Sequence, residues 1–232
     1  MTSPLDYAIW LLTSLLELGA VYCALRTRSF VRFFPLSFYL LAAIVADITR
    51  FAMLKQYGYT SHSYVSFYYY SDALLTICLF IALMGLYSQV FKEMGAEIYV
   101  RLGAIIVLVL TAAICFAMVR NSRHLLFTKF AIQLSQNLYF VGAVLTYVLW
   151  GAVKKLHETR TRLIQFTLAL GVYFSAFAAG YALSVLYPRS TFSGIASDAM
   201  GLWLPLAWGY TFLKVPEAAR LQTARVSAAA RS

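Results

Sequence analysis

SFYYYSDALLTICLFIALMGLYSQVF, residues Ser66 to Phe91, decides the class of this chain. The stretch exceeds the about 20 apolar residues that a helix needs to cross a bilayer core. It carries one acid, Asp72, about a turn and a half inside its tyrosine-rich end. A carboxylate at that depth is costly and needs a partner or a task. The triplet Ser71-Asp-Ala recurs as Ser197-Asp-Ala near the start of the last apolar stretch. These features predict an all-α integral membrane bundle organised around two acidic sites.

Composition supports that class. The 232 residues are 62% hydrophobic and only 12% charged, whereas a soluble domain averages about 25% charged. Mean hydropathy is +0.73. Seven helices of about 20 residues with short loops would use nearly the whole length. The expected spans are 7–25, 33–54, 67–91, 102–119, 125–150, 163–186 and 195–213. Together they make one seven-helix membrane domain over residues 1–214, followed by a short basic tail at 215–232. No separate enzymatic or signalling domain fits within this length. Asp6 is the only charge before the first apolar segment, whereas a secretory signal begins with basic residues. That segment is read as a permanent helix.

A net charge of +10 would raise the question of nucleic acid in a soluble protein. Here the basic residues fall between apolar segments, where they set orientation. No nucleic-acid partner is expected, and the bilayer itself is the expected partner. Thirteen of the nineteen Lys and Arg residues fall on one side of the predicted spans. The other six are Arg50, Lys55, Arg120, Arg123, Lys129 and Arg189. The richer side is expected to be cytoplasmic, with the amino terminus outside and the carboxyl terminus inside. The expected location is the plasma (inner) membrane.

The paired triplets predict a repeat. Gly19-Ala-Val and Gly142-Ala-Val lie in the first and fifth spans, and the Ser-Asp-Ala sites in the third and seventh. Two three-helix units in the same orientation, joined by the fourth span, would place them so. Parallel repeats are one transporter plan. This 3+1+3 plan resembles, in topology, that of sugar and vitamin semi-transporter families. The chain has no proline–glutamine motif of the sugar-transporter type.

Polar residues cluster at one end of the predicted spans. Asp47 and Arg50 are three residues apart and share a helix face. Asp72 and Asp198 sit near the outer ends of their helices. Lys129, Gln133, Gln136 and Asn137 form a stripe on the fifth span. Glu17 lies close to mid-depth with Thr13, where a carboxyl without a basic neighbour serves as a proton carrier or as a neutral hydrogen-bond donor. These positions predict an outward-facing cavity for a small molecule, with Glu17, Asp47, Arg50, Asp72, Gln133, Asn137 and Asp198 as its candidate ligand or ion groups. The competing reading is an ion-pair network that only fixes helix packing. The run Tyr68 to Tyr70 fits either an interfacial belt or the mouth of a pocket.

Other chemistry is poorly represented. HExxH, GxSxG and glycine-rich phosphate loops do not occur. Cys23, Cys78 and Cys115 are odd in number and lack metal-ligand spacing. His62, His124 and His157 fall in loops. No cofactor or metal is expected. The last span has a lysine only at its inner end, Lys214, so a retinal Schiff base at its middle is excluded. The leading functional class is a small-solute or proton-linked transporter. Second comes a membrane sensor acting through a separate partner, and third a structural or assembly subunit. An enzyme comes last, because no nucleophile–base constellation is visible. Transport needs a polar route to the inner side. The inner halves of the third and fifth spans are poor in polar groups beyond Ser88 and Gln89.

Overall fold

The computed structural model describes residues 4–92, 97–120, 126–156, 158–187, 192–217 and 219. Side chains are described throughout these except at 4–6, 97, 185 and 192–198. Seven α-helices lie among the described residues. They are α1 (Pro4–Arg26), α2 (Phe34–Tyr57), α3 (His62–Phe91), α4 (Glu97–Val119), α5 (Leu126–Lys155), α6 (Thr161–Leu186) and α7 (Phe192–Lys214). Six of them, α1 to α6, are long and apolar enough to cross a membrane. The chain is therefore a multi-pass, all-α membrane protein.

Helix boundaries run past the predicted spans where polarity changes but backbone hydrogen bonding does not. α3 begins at His62, five residues before the predicted 67, and takes in the polar Ser63 and Tyr64. α5 continues to Lys155, with Lys154 and Lys155 in its last turn, where cations favour the negative end of the helix dipole. α2 starts with Pro35 in its first turn and stops at Gly58, which takes φ 79° and donates its N–H to the Leu54 carbonyl.

Six helices form a closed ring in the order α1, α2, α3, α5, α6, α7, with α7 packed back on α1. α4 lies outside this ring against α3 and α5. It buries the smallest share of its surface of the six spanning helices. A separate small core under it joins Phe80, Cys115, Leu134 and Leu138. The main core runs through the ring helices.

Close approaches in the ring depend on missing side-chain atoms. A Cβ on Gly142 of α5 would lie 2.6 Å from the Phe174 ring of α6, and one on Gly171 of α6 would lie 2.9 Å from Thr146 Cγ2. Phe174 is fully buried and cannot swing away. Gly142→Ala is therefore expected to lower stability by about 1–3 kcal/mol through overpacking. Thermal unfolding in detergent checks this, with Gly19→Ala as the control. A Cβ on Gly19 meets nothing within 4 Å. The two Gly-Ala-Val triplets thus occupy different surroundings.

The opposite end from the start of α1 is sealed. α1 ends in a two-bond cap: Ser29 N–H reaches the Ala24 carbonyl and Arg28 N–H the Leu25 carbonyl, both at 3.0 Å. Arg28 adopts φ 52° to close it, a conformation usually left to glycine. The cap delivers Ser29 to Arg162, which is only 5% exposed. Arg162 Nη1 donates to Ser29 Oγ at 2.5 Å. Its Nε and Nη2 donate to the Val215 carbonyl at 3.0 and 2.7 Å. Nη2 also reaches the Phe212 carbonyl at 3.4 Å. One guanidinium so satisfies carbonyls at the end of α7 that have no helical donor. Glu217 adds an ion pair to Arg162 at 3.8 Å and another to Arg32. Above this latch, Phe33, Phe166, Phe212 and Trp208 pack ring against ring, with Phe166 and Phe212 centroids 4.9 Å apart. At the neighbouring α5–α6 turn, a hydrogen bond from Arg160 holds Glu158 below the ordinary carboxylate range.

Candidate functional site

The chain places its deep acids by helix rise. Glu17 is about 20 Å along α1 from Pro4, while Asp47 and Arg50 lie two to three turns before the end of α2. Asp72 lies about three turns into α3. Because α1 and α3 flank α2 in the ring, these positions converge. They line one cavity of about 340 Å³ that opens at the end where α1 begins. Tyr7, Tyr59, Tyr64 and Tyr68 stand at its rim, and Tyr39, Tyr139, Tyr173 and Leu204 are its buried floor. α7 contributes Gly201 and Pro205 to the wall. Proline has no N–H to close the helix at that turn.

Arg50 organises the α2–α3 side. Its Nε donates to Ser71 Oγ at 2.7 Å and its Nη2 to the Tyr68 carbonyl at 3.3 Å. The guanidinium also lies over the Tyr68 ring, 4.5 Å from the centroid. Its ion pair is with Asp47, at 3.9 Å. Asp47 is held more closely from α1, where Ser14 Oγ donates to its Oδ2 at 3.0 Å. Of the Ser-Asp-Ala triplet, the serine rather than the acid makes the close contact with Arg50.

Glu17 is different. Its side chain is 7% exposed, and Oε2 is buried with no hydrogen-bond partner among the described residues. An unpaired polar atom in a low-dielectric setting is costly to keep. It lines the same cavity as Thr13 and Gly201.

The floor is aromatic. Tyr139 stacks on Phe177 with centroids 4.7 Å apart, and Tyr173 lies 4.7 Å from the same ring. Tyr39 meets Trp208 edge to face at 5.7 Å. At the rim, Trp10 stacks on Phe51 at 5.0 Å, and Tyr59, Tyr64 and Tyr68 follow one another at 5.7 and 6.4 Å.

Four of the seven candidate residues therefore meet: Glu17, Asp47, Arg50 and Asp72. Gln133 and Asn137 are placed elsewhere. Asn137 Nδ2 donates to Cys115 Sγ of α4 at 3.1 Å, and Cys115 Sγ reaches the Gln133 carbonyl at 3.7 Å. Asn137 thus faces the helix outside the ring, where Cys115 gives its half-buried amide a partner. From α5 it is Tyr139 that lines the cavity. The Asp198 side chain lies outside the described residues. The aromatic floor escaped sequence reading, because a membrane helix uses tyrosine and phenylalanine equally for packing and for lining a cavity. Among the described residues, no group of His, Cys, Asp and Glu could hold a metal ion. No protein-family model, curated protein or solved structure matches this chain.

Proposed function

We propose that the chain is a seven-span membrane protein that takes up a small solute from its outer side and moves it, alone or linked to protons, across the membrane. In this reading residues 1–214 are one membrane domain, the amino terminus is outside, and the basic face and the 215–232 tail are cytoplasmic. The protein sits in the plasma (inner) membrane. The observation that carries the reading is the convergence of Glu17, Asp47, Arg50 and Asp72 on one cavity. A network serving helix packing alone would close around its charges. Here Glu17 Oε2 has no partner among the described residues.

The 3+1+3 repeat remains part of the proposal. The ring order and the outlying α4 are compatible with it, as any sequential ring of six would be. The aromatic plug and the Arg162 latch then form the inner gate of an outward-facing state.

A sensor acting through a separate partner is the second reading. The sealed inner end favours it, since binding without passage needs no route through Phe33, Phe166, Phe212 and Trp208.

The test is a stabilisation screen of the purified protein against cationic, anionic, zwitterionic and neutral solutes, since a ligand of the folded state raises its apparent stability. Hits are then offered to proteoliposomes. Accumulation of a hit inside the vesicles supports transport. Stabilisation without accumulation supports sensing. No stabilisation by any solute contradicts both.

A further inference from the structure

We propose that the solute is an organic cation of the quaternary or alkylammonium class. This inference rests on the solute-binding reading and goes beyond it in naming the chemistry.

Three observations carry it. Among the described residues the cavity is lined by three carboxyl groups, Glu17, Asp47 and Asp72, and one guanidinium, Arg50. Arg50 is engaged by Ser71, the Tyr68 carbonyl and Asp47. One guanidinium against three acids leaves two carboxyl groups without a basic partner among the described residues. Glu17 is the deepest of the three, and its Oε2 has no partner among the described residues. An anion would find no unengaged cation among the described residues of the cavity. A neutral solute would bring no charge to the two carboxyl groups.

The walls complete the match. Tyr39, Tyr139, Tyr173 and Phe177 surround the deep part, and Trp10 and Tyr68 the outer part. Aromatic faces attract cations, most strongly where water is excluded, and aromatic cages are a recurring way to hold alkylammonium groups. The protein already holds one cation this way, with Arg50 over the Tyr68 ring. An alkylammonium ion suits a wall of aromatic rings with a carboxyl group beside it. A volume of about 340 Å³ is at the small end of ligand sites, and it admits a choline-sized ion.

The probes are choline, its neutral carbon isostere 3,3-dimethyl-1-butanol, and the zwitterion glycine betaine. Purified protein is titrated with each, read by thermal stabilisation and by tryptophan fluorescence. Choline is expected to bind at least tenfold more tightly than the isostere. Glu17→Gln, which keeps the shape, is expected to weaken choline at least tenfold and leave the isostere unchanged. Should Glu17→Gln fold poorly, Asp72→Asn provides the same contrast nearer the rim. Equal binding of choline and the isostere, or tighter binding of betaine, overturns the cation assignment. Stabilisation in the broader screen by an anionic or neutral solute but not by choline overturns it too, and leaves the solute-binding reading standing. Failure of every solute overturns both.

Discussion

Replacing Arg162 with Met is expected to destabilise the protein by about 3–5 kcal/mol, as loss of one partner from a buried charged network does. The methionine fills the space but donates nothing. The carbonyls of Val215 and Phe212 then lose their side-chain donor, and Ser29 Oγ loses its bond from α6. These groups belong to the turn after α1 and the end of α7, so the damage reaches three helices. Arg162→Lys is expected to recover only part of the loss, because an ammonium lacks the planar fork that spans several acceptors. Reversible unfolding in mixed detergent measures both. An Arg162→Met protein as stable as the wild type would show that the Arg162 latch carries no weight.

Arg50→Met is expected to cost on the order of 3 kcal/mol, moderated where water enters the cavity. Its loss leaves Asp47, Asp72 and Glu17 in one cavity without an internal cation. It also removes the contacts with Ser71 and the Tyr68 carbonyl that join α2 to α3. A cationic solute would then stabilise the variant more, relative to its own starting point, than it stabilises the wild type. Asp47→Asn in the Arg50→Met background is expected to restore part of the stability, by removing one uncompensated charge. If the double variant is no better than Arg50→Met alone, the electrostatic account of the pair fails.

The membrane class was legible because a bilayer imposes length and apolarity on every crossing, and six helices carry that imprint. Glu17, Asp47, Arg50 and Asp72 stood out for the same reason, as charges in apolar surroundings. Which way a polar stripe faces is another matter. Gln133 and Asn137 were expected in the cavity, yet neither lines it, and Asn137 meets α4, whose place outside the ring no local pattern records. Arg162 read as a loop charge, because it stands one residue inside α6 among Lys155, Arg160 and Thr161. Its burial depends on the ends of α1 and α7 closing over it, which no local pattern records. Tyr39, Tyr139 and Tyr173 gave no signal, since the fold alone decides whether a buried tyrosine meets a packed neighbour or a cavity.

The central claim is that the cavity opens to the outer side and admits small polar molecules. Gly201→Cys tests it most directly. A Cβ there meets nothing nearer than Thr13 Cγ2 at 4.0 Å, and the native Cys23, Cys78 and Cys115 are buried. A membrane-impermeant trimethylammonium thiosulfonate is added to intact cells expressing the variant. The account predicts rapid labelling at position 201 without permeabilisation, slowed by Glu17→Gln. Labelling only after the membrane is opened, or none under either condition, would contradict it.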